Sequence, residues 1–277
     1  MTRTAEGVGR APGAEVPSRI FRGTRPLKRW RYVGVFCERF MACAALVHVG
    51  PLGQSFWALY DRERDELRER TRLRPRGGEL GLESGSLVIR DGARGVALEL
   101  ELDEEPGIEA LCPHGRGMVW TRKQAGVAAR GRLSLGGGTA LEVEARAVID
   151  DTAGHHARHT EWWWSAGVGE GSGGRALAWN LVSGVNDPPQ GSERAVWVDS
   201  EPTEVEPVAF ADDLSSLRCE DGSELRFGAE AQRRRRDELI LIASDYRAPF
   251  GSFAGELPGR VELVRGLGVM EHHRARW

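Results

Sequence analysis

Glycine recurs along the whole chain, 36 times in 277 residues, and cuts the apolar sequence into short stretches. Such punctuation suits many short strands joined by turns and leaves little room for long helices. Alternation supports strands. In "TALEVEARAVIDD", Leu141, Val143, Ala145, Ala147 and Ile149 alternate with Glu142, Glu144 and Arg146, one face dry and one wet. "SLVIRDGARGVALELELDE" sets Asp91-Gly92 between two alternating segments, a hairpin signal. "RWRYVGVF", "SFWALYD", "RAVWVDSEPTEVEPVAF" and "RVELVRGLGVM" behave alike. The charged run "DRERDELRERTRLR" has too few apolar residues for a buried helical stripe. It reads as a strand, a turn at Arg62–Asp65, and a second strand with Leu67 inward. Arg233–Arg236, flanked by acidic residues, read as a solvated turn or short helix before the strand "LILIASDY", in preference to a phosphate patch.

A chain of this length buries roughly three quarters of its unfolded surface and folds without a disulfide or metal staple. The formal net charge is −3, from 38 basic and 41 acidic side chains, which gives no field to recruit nucleic acid. Cys37, Cys43, Cys112 and Cys219 show no C-x-x-C spacing and read as reduced thiols of a cytoplasmic protein. No apolar run approaches the roughly 20 residues of a membrane helix. The opening residues read as a loose tail to Thr24, without the apolar stretch of a secretory signal.

A weak internal repeat organises the rest. "RWRYVGVF", "RFMACAALVHVGP", "PLGQS" and "FWALYD" are answered by "EWWWSAGVG", "RALAWNLVSGVNDP", "PQGSE" and "AVWVD". Gly34-Val35 matches Gly167-Val168, Gln54 matches Gln190, and Trp57 and Trp197 each precede an aspartate, Asp61 and Asp199. A period this long means two similar β domains. The expected division is a tail over 1–24, a first half over 25–149 and a second over 150–277.

The stretch His155–Gly169, "HHARHTEWWWSAGVG", concentrates the functional candidates. Taken as a strand from His155 to Ser165, one face carries His155, Ala157, His159, Glu161 and Trp163. The other carries His156, Arg158, Thr160, Trp162 and Trp164. His155, His159 and Glu161 are metal-ligand types. Neighbours on a strand face stand about 6.6 Å apart, so one ion is not reached by all three, and the odd face is expected to meet water with no metal. The even face suits a small-molecule pocket: indole walls with a few orientable polar groups. Arg158 is expected at the pocket mouth or beside a carboxylate such as Asp187, Glu193 or Asp245.

Further candidates lie downstream. Asn180, inside an apolar strand beside Trp179, needs partners that a ligand could supply. Asn186-Asp187-Pro188-Pro189 is first a turn. "SDYRAPFGSFAGELPG" reads either as a flap over a pocket mouth or as an aromatic-anchored loop. Glu271, His272 and His273 could supply an acid–base pair, although terminal histidines usually lie at the surface. "GEGSGGR" lacks the Lys-Ser/Thr of a P-loop, and no G-x-S-x-G elbow occurs, which argues against nucleotide hydrolysis and triad hydrolysis.

"PLKRWRYVGVF", "VGPLGQSFWALYDRERDELRERTRL", "HHARHTEWWWSAGVG", "AWNLVSGVNDPPQGSERAVWVD", "SDYRAPFGSFAGELPG" and "GVMEHHRARW" together resemble the bacterial DUF2804 family, over nearly everything from Pro26 onward. The family pattern Tyr-His-x-x-x-Thr-x-Trp-x-Trp-Ser-Ala-Gly falls on His156, Thr160, Trp162 and Trp164. This chain carries His155 where the pattern has tyrosine, and Trp163 at a variable, often basic position. More distantly, the chain resembles the double-calycin group of the carotenoid hydratases, AttH-like proteins and tocopherol cyclase. That likeness implies a mainly β fold of two lipocalin-like (calycin-like) antiparallel barrel or sandwich halves that hold hydrophobic molecules. It brings no matched catalytic residues.

Three functions follow. The first is a binder of a hydrophobic or amphipathic, lipid-like or isoprenoid-like molecule, held by Arg158, Thr160, Trp162, Trp164, Asn180 and Asn186. The second is a hydratase, cyclase or isomerase needing no cofactor, with His156 as proton donor and Asp187 or Tyr246 as its partner. The third is a structural role with both halves filled by side chains.

Overall fold

Both halves of the chain lay their strands along the same path. The computed structural model describes residues 16–75, 77–238 and 243–276, with no α-helix among them. A short ribbon, β1 (Phe21–Arg22) with β2 (Arg25–Pro26), precedes the sheets, so the end of the expected loose tail is paired. In the first half, β3 (Lys28–Phe36), β4 (Phe40–Val49), β5 (Leu52–Asp61) and β6 (Glu66–Leu73) form one meander. β7 (Leu80–Gly81), β8 (Ser86–Asp91), β9 (Val96–Leu102), β10 (Ile108–His114), β11 (Gly117–Leu135) and β12 (Leu141–Gly154) follow. β12 returns to pair with β3, giving the order β6-β5-β4-β3-β12-β11-β9-β8-β7, with β10 also on β11.

The second half repeats the path. β13 (His159–Gly171), β14 (Ala176–Ser183), β15 (Ala195–Val198) and β16 (Glu201–Glu204) form its first meander. β17 (Val208–Phe210), β18 (Ser216–Cys219), β19 (Glu224–Glu238), β20 (Ala243–Leu257) and β21 (Val261–Arg276) form its second. β21 pairs with β13, and the order is β16-β15-β14-β13-β21-β20-β19-β18-β17. The segments matched by the sequence repeat are therefore matched in topology: β3 with β13, β4 with β14, β5 with β15. The chain passes between sheets at 155–158.

Each sheet curls around a core of its own. Val33, Val35, Trp57, Leu59, Leu87 and Ile89 belong to the first, and Leu177, Trp179, Leu181, Leu225 and Phe253 to the second. A third core lies between the halves, where Tyr32, Phe36 and Met41 meet Trp164, Val182 and Phe250. The charged run resolves as read, a turn between β5 and β6 with Leu67 packed on this shared core. Arg233–Arg236 are neither turn nor short helix. They lie in β19, where Arg235 pairs with Asp237 at 2.6 Å and Arg236 with Glu238 in the same strand. "SDYRAPFGSFAGELPG" is no loop either, because β20 runs through it with Phe250 and Phe253 anchored in two cores. Leu239–Ile242 of the expected strand "LILIASDY" lie outside the described residues.

The glycines of "SAGVG" and "GLG" have a packing reason. Gly167 lies opposite Gly268, and Gly169 opposite Gly266, across β13 and β21. The fully buried Trp179 indole crosses this bare strip. A Cβ on Gly167 would meet its Cζ2 at 2.4 Å, and one on Gly266 its Cη2 at 2.9 Å. Gly167→Ala is therefore expected to destabilise by about 1–3 kcal/mol through overpacking. Gly92→Ala, with nothing within 4 Å of the added carbon, should be close to neutral. Urea midpoints of the two variants check this, and equal midpoints would refute the packing role.

Candidate functional site

Between the halves lies a cavity of about 250 Å³. Its walls are aromatic: Trp30, Tyr32 and Phe56 from the first half, Trp162, Trp164 and Tyr246 from the second. Trp30 and Trp162 stack with ring centres 6.3 Å apart, and Tyr32 meets Trp164 edge-on at 5.3 Å. These rings sit here because of strand period. On β3 the even positions turn to the partner half while Val33 and Val35 fill the first half's core. On β13 Trp162 and Trp164 do the same. Leu52 and Leu73, exposed large apolar side chains, also line the cavity and mark its mouth.

Glu271 brings the first charge-bearing group into this apolar space. It lies opposite Trp164 in the β13–β21 register, and its Oε1 accepts a hydrogen bond from Trp162 Nε1 at 2.8 Å. Burial pushes its carboxyl up to about 7, against the pull of hydrogen bonds from Trp162 and Tyr246. Burial likewise pushes the Tyr32 and Tyr246 hydroxyls well above their ordinary value. The group beside the aromatic wall that changes charge near neutral pH is thus a carboxyl.

A buried ion cluster forms another wall. Lys123 Nζ lies 2.7 Å from Asp150 Oδ1 and 3.2 Å from Glu193 Oε1, which joins β11 and β12 of the first half to the loop before β15. Trp30 Nε1 donates to Asp150 Oδ2 at 2.9 Å, and Thr152 Oγ1 to Asp150 Oδ1 at 2.8 Å. Burial alone would lower Lys123, and the two carboxylates override it and hold its ammonium above the ordinary lysine value. Burial raises the Glu193 carboxyl despite Lys123.

The structure sorts the residues singled out in the sequence. His156, Trp162, Trp164, Asn186 and Tyr246 line the cavity. His156 does so from a loop, because β13 begins only at His159 and 155–158 carry no strand. Burial, with Lys28 and His114 nearby, pulls His156 down to about 3. It is neutral in the folded protein near pH 7, which does not suit the proton donor expected of it. Asp187 is outside the lining; its Oδ2 accepts from the Gly184 N–H at 2.7 Å and serves the turn. Arg158 is exposed and outside it too. Thr160 is buried, but its hydroxyl closes the loop on Ala157 O at 2.9 Å. Asn180 finds its partners within the protein: Trp164 Nε1 donates to it and it donates to Glu193 O, both at 2.8 Å. Nor is the odd face simply wet. His155 is buried, with Nε2 2.9 Å from Arg19 O, and Trp163 stacks on His272 at 4.6 Å. Among the described residues no group of three His, Cys, Asp or Glu is arranged to hold a metal ion.

Tyr32, Lys123 and Asp150 were not singled out from the sequence, Glu193 only as a possible partner of Arg158, and Glu271 only as part of a terminal acid–base pair. Their signal was faint but present: Asp150 and Glu271 each continue an apolar face, Val148-x-Asp150 and Val269-x-Glu271.

The family model for DUF2804, a domain of unknown function, matches residues 86–277, more than half of the chain. The chain belongs to the DUF2804 family. No curated protein matches it in sequence. Solved structures share its fold. An AttH-like protein from Nitrosomonas europaea is 13% identical with a TM-score of 0.60, over 95% of this chain and 98% of that one. Kievitone hydratase from Nectria haematococca is 13% identical with a TM-score of 0.59, over 88% of each. CghA is 8% identical with a TM-score of 0.50, over 99% of this chain and 97% of that one. At these identities the likeness establishes the fold of the DUF2804 chain as a pair of curled half-barrels. No helix among the described residues is long and apolar enough to cross a membrane.

The pH dependence of stability follows from groups of opposite sign: the imidazoles of His156 and His273, each pulled down to about 3 by burial, and the carboxyl of Glu271. His156 is neutral when folded and takes up a proton near pH 6.5 when unfolded, so its contribution is full above 6.5 and falls as pH drops toward 3. Glu271 stays protonated when folded up to about 7 but ionises near 4.5 when unfolded, so its contribution is full below 4.5 and falls as pH rises to 7. Each slope is at most about 1.4 kcal/mol per pH unit. His156→Gln should make the acid limb shallower, with His273 supplying the remainder, and Glu271→Gln should flatten the rise in stability toward pH 4.5. Urea midpoints at pH 5, 6, 7 and 8 read both, and an unchanged acid limb in His156→Gln rejects the assignment.

Proposed function

We propose that this DUF2804 protein binds an unsaturated apolar small molecule between its halves and that Glu271 transfers a proton to or from it, without a cofactor. The observation that carries this reading is a buried carboxyl set at about 7, hydrogen-bonded to Trp162 and Tyr246, in a cavity walled by indole and phenol rings. A general acid or base works best when its pKa is near the operating pH. An apolar cavity of about 150 Å³ takes one benzene, so this one suits a molecule of about two rings, with room for more through the mouth.

The chemistry is acid–base. Protonated Glu271 gives its proton to one carbon of a double bond and becomes a carboxylate. The cation left on the other carbon faces the π-systems of Trp30, Trp162 and Trp164, which attract positive charge. Addition of water and loss of its proton complete a hydration. Loss of a proton from a neighbouring carbon completes an isomerisation, and attack by an internal nucleophile completes a cyclisation. Kievitone hydratase has the same fold and a name that describes a hydration, which supports this class without fixing the substrate. Tyr246 holds Glu271 in place, and the Lys123 cluster fixes the other wall. The four free cysteines suit a cytoplasmic setting.

Denaturing the purified protein and identifying co-extracted molecules by mass spectrometry supplies the ligand. Incubated with it in deuterium oxide, the wild type should place label at a carbon position. Glu271→Gln should slow that exchange by about 10²–10⁴ while changing affinity less than about tenfold. Val47→Trp, which fills the cavity, should arrive without ligand. Retained ligand with label at the wild-type rate in Glu271→Gln would remove the catalytic role. Ligand without exchange in the wild type would leave a binding protein.

A further inference from the structure

Beside the apolar cavity lies a second depression, about 380 Å³, with a different lining. Arg70, Arg72 and Arg94 come from the first half, Arg233, Arg234 and Arg235 from β19, with Glu69 and Thr71 between them. Four carboxylates answer these six guanidinium groups. Asp91 lies 2.7 Å from Arg70 and 3.6 Å from Arg94, Glu79 pairs with Arg72, Asp237 lies 2.6 Å from Arg235, and Glu69 lies 3.5 Å from Arg233. Two positive charges are left over in a chain whose formal net charge is −3. Arg234 is exposed and pairs with no carboxylate among the described residues.

The depression and the cavity share a wall. Arg233 and Arg235 line both, and along β6 the lining passes from Arg72 in the depression to Leu73 at the cavity mouth. Arg233 is 2% exposed. Its guanidinium lies over the Phe56 ring at 4.3 Å and the Tyr246 ring at 5.5 Å, and Nη2 donates to Thr71 Oγ1 at 2.7 Å. Its Nε has no hydrogen-bond partner among the described residues. A buried charged donor left unused is costly, so an acceptor supplied from outside would be strongly favoured there.

We propose that the cavity's ligand is an amphiphile, with its apolar body between the halves and an anionic head, phosphate or carboxylate, among these arginines. This rests on the cavity being a binding site, as proposed above. Guanidinium forks match the paired oxygens of such heads and hold them in a fixed orientation. The head would anchor the molecule at the mouth and set how deep its unsaturated part reaches toward Glu271. The charge surplus is local and bounded by carboxylates, which suits one head group and not a polyanion.

Two dyes with the same rings test this: anilinonaphthalenesulfonate, which carries an anionic group, and the neutral phenylnaphthylamine, which lacks it. At low salt the sulfonate should bind at least about tenfold tighter, and added salt should narrow the gap. Arg72→Gln with Arg234→Gln should bring the two dyes within about twofold and leave the neutral dye's affinity unchanged. Arg218→Gln with Arg260→Gln removes the same charge from exposed sites lining neither space, and should leave the preference intact. Decyl phosphate should compete at far lower concentration than inorganic phosphate. Equal competition would make the depression a free-anion site and overturn the amphiphile. Equal affinity of both dyes, or a preference untouched by the arginine pair, overturns the anionic head alone. Failure of both dyes to bind overturns the cavity reading with it.

Discussion

Neither face of β3 is left to water over its second half: Val33 and Val35 enter the first half's core, while Tyr32 and Phe36 point at the partner half. β4 divides Phe40, Ala42 and Ala44 from Met41, Cys43 and Ala45 in the same way. β14 divides Leu177, Trp179 and Leu181 from Ala178 and Val182. A strand apolar on both sides must be covered twice, and one curled sheet covers only its concave side. The second layer is the other half. Pairing of the halves follows from these sequences directly, and the cavity is the part of that seam where large flat rings leave space.

A seam of this kind sets the electrostatics of whatever polar groups it encloses. Lys123, Asp150 and Glu193 survive there because each has a partner from the set, and removing one would strand the others without water. Glu271 accepts hydrogen bonds and feels the pull of Lys123, but burial outweighs both and lifts it to about 7. The same burial on the imidazole of His156, near the positive Lys28, acts in the opposite sense and takes it to about 3. Water exclusion therefore exchanges the roles that ordinary pKa values would assign, and the carboxyl becomes the group that titrates near neutrality.

This exchange explains what could be read in advance. Most strands, the turn after Asp61 and the inward course of Trp162 and Trp164 follow from local alternation, whereas the arginine run of β19 and the Gly- and Pro-rich course of β20 carry none and read as turn and loop. Asp150 was hidden because its face of β12 begins with Glu142, Glu144 and Arg146 and reads as wet. That face is exposed at its start and buried at its end, where β12 passes under the partner half. Asp187 and Asn180 misled for the complementary reason. A polar side chain in a conspicuous position advertises a need for partners, and only the fold shows that Gly184, Trp164 and Glu193 already meet it. Arg233 concealed itself among three other arginines, of which it alone is buried over aromatic rings.

The duplication is a property of the scaffold and not of its chemistry. β3 answers β13 in topology, yet the groups beside the cavity are unevenly shared. The first half gives Lys123 and Asp150, the second gives Glu193, Glu271 and Tyr246. Trp30 and Trp162 occupy facing places in their halves, but one indole donates to Asp150 within the ion cluster and the other to Glu271. Two similar walls thus hold one cluster of ion-paired groups and one carboxyl balanced between its charge states. In the proposed reading, a molecule between them would meet ion-paired groups on one side and the Glu271 proton on the other, an asymmetry that two identical halves would not provide.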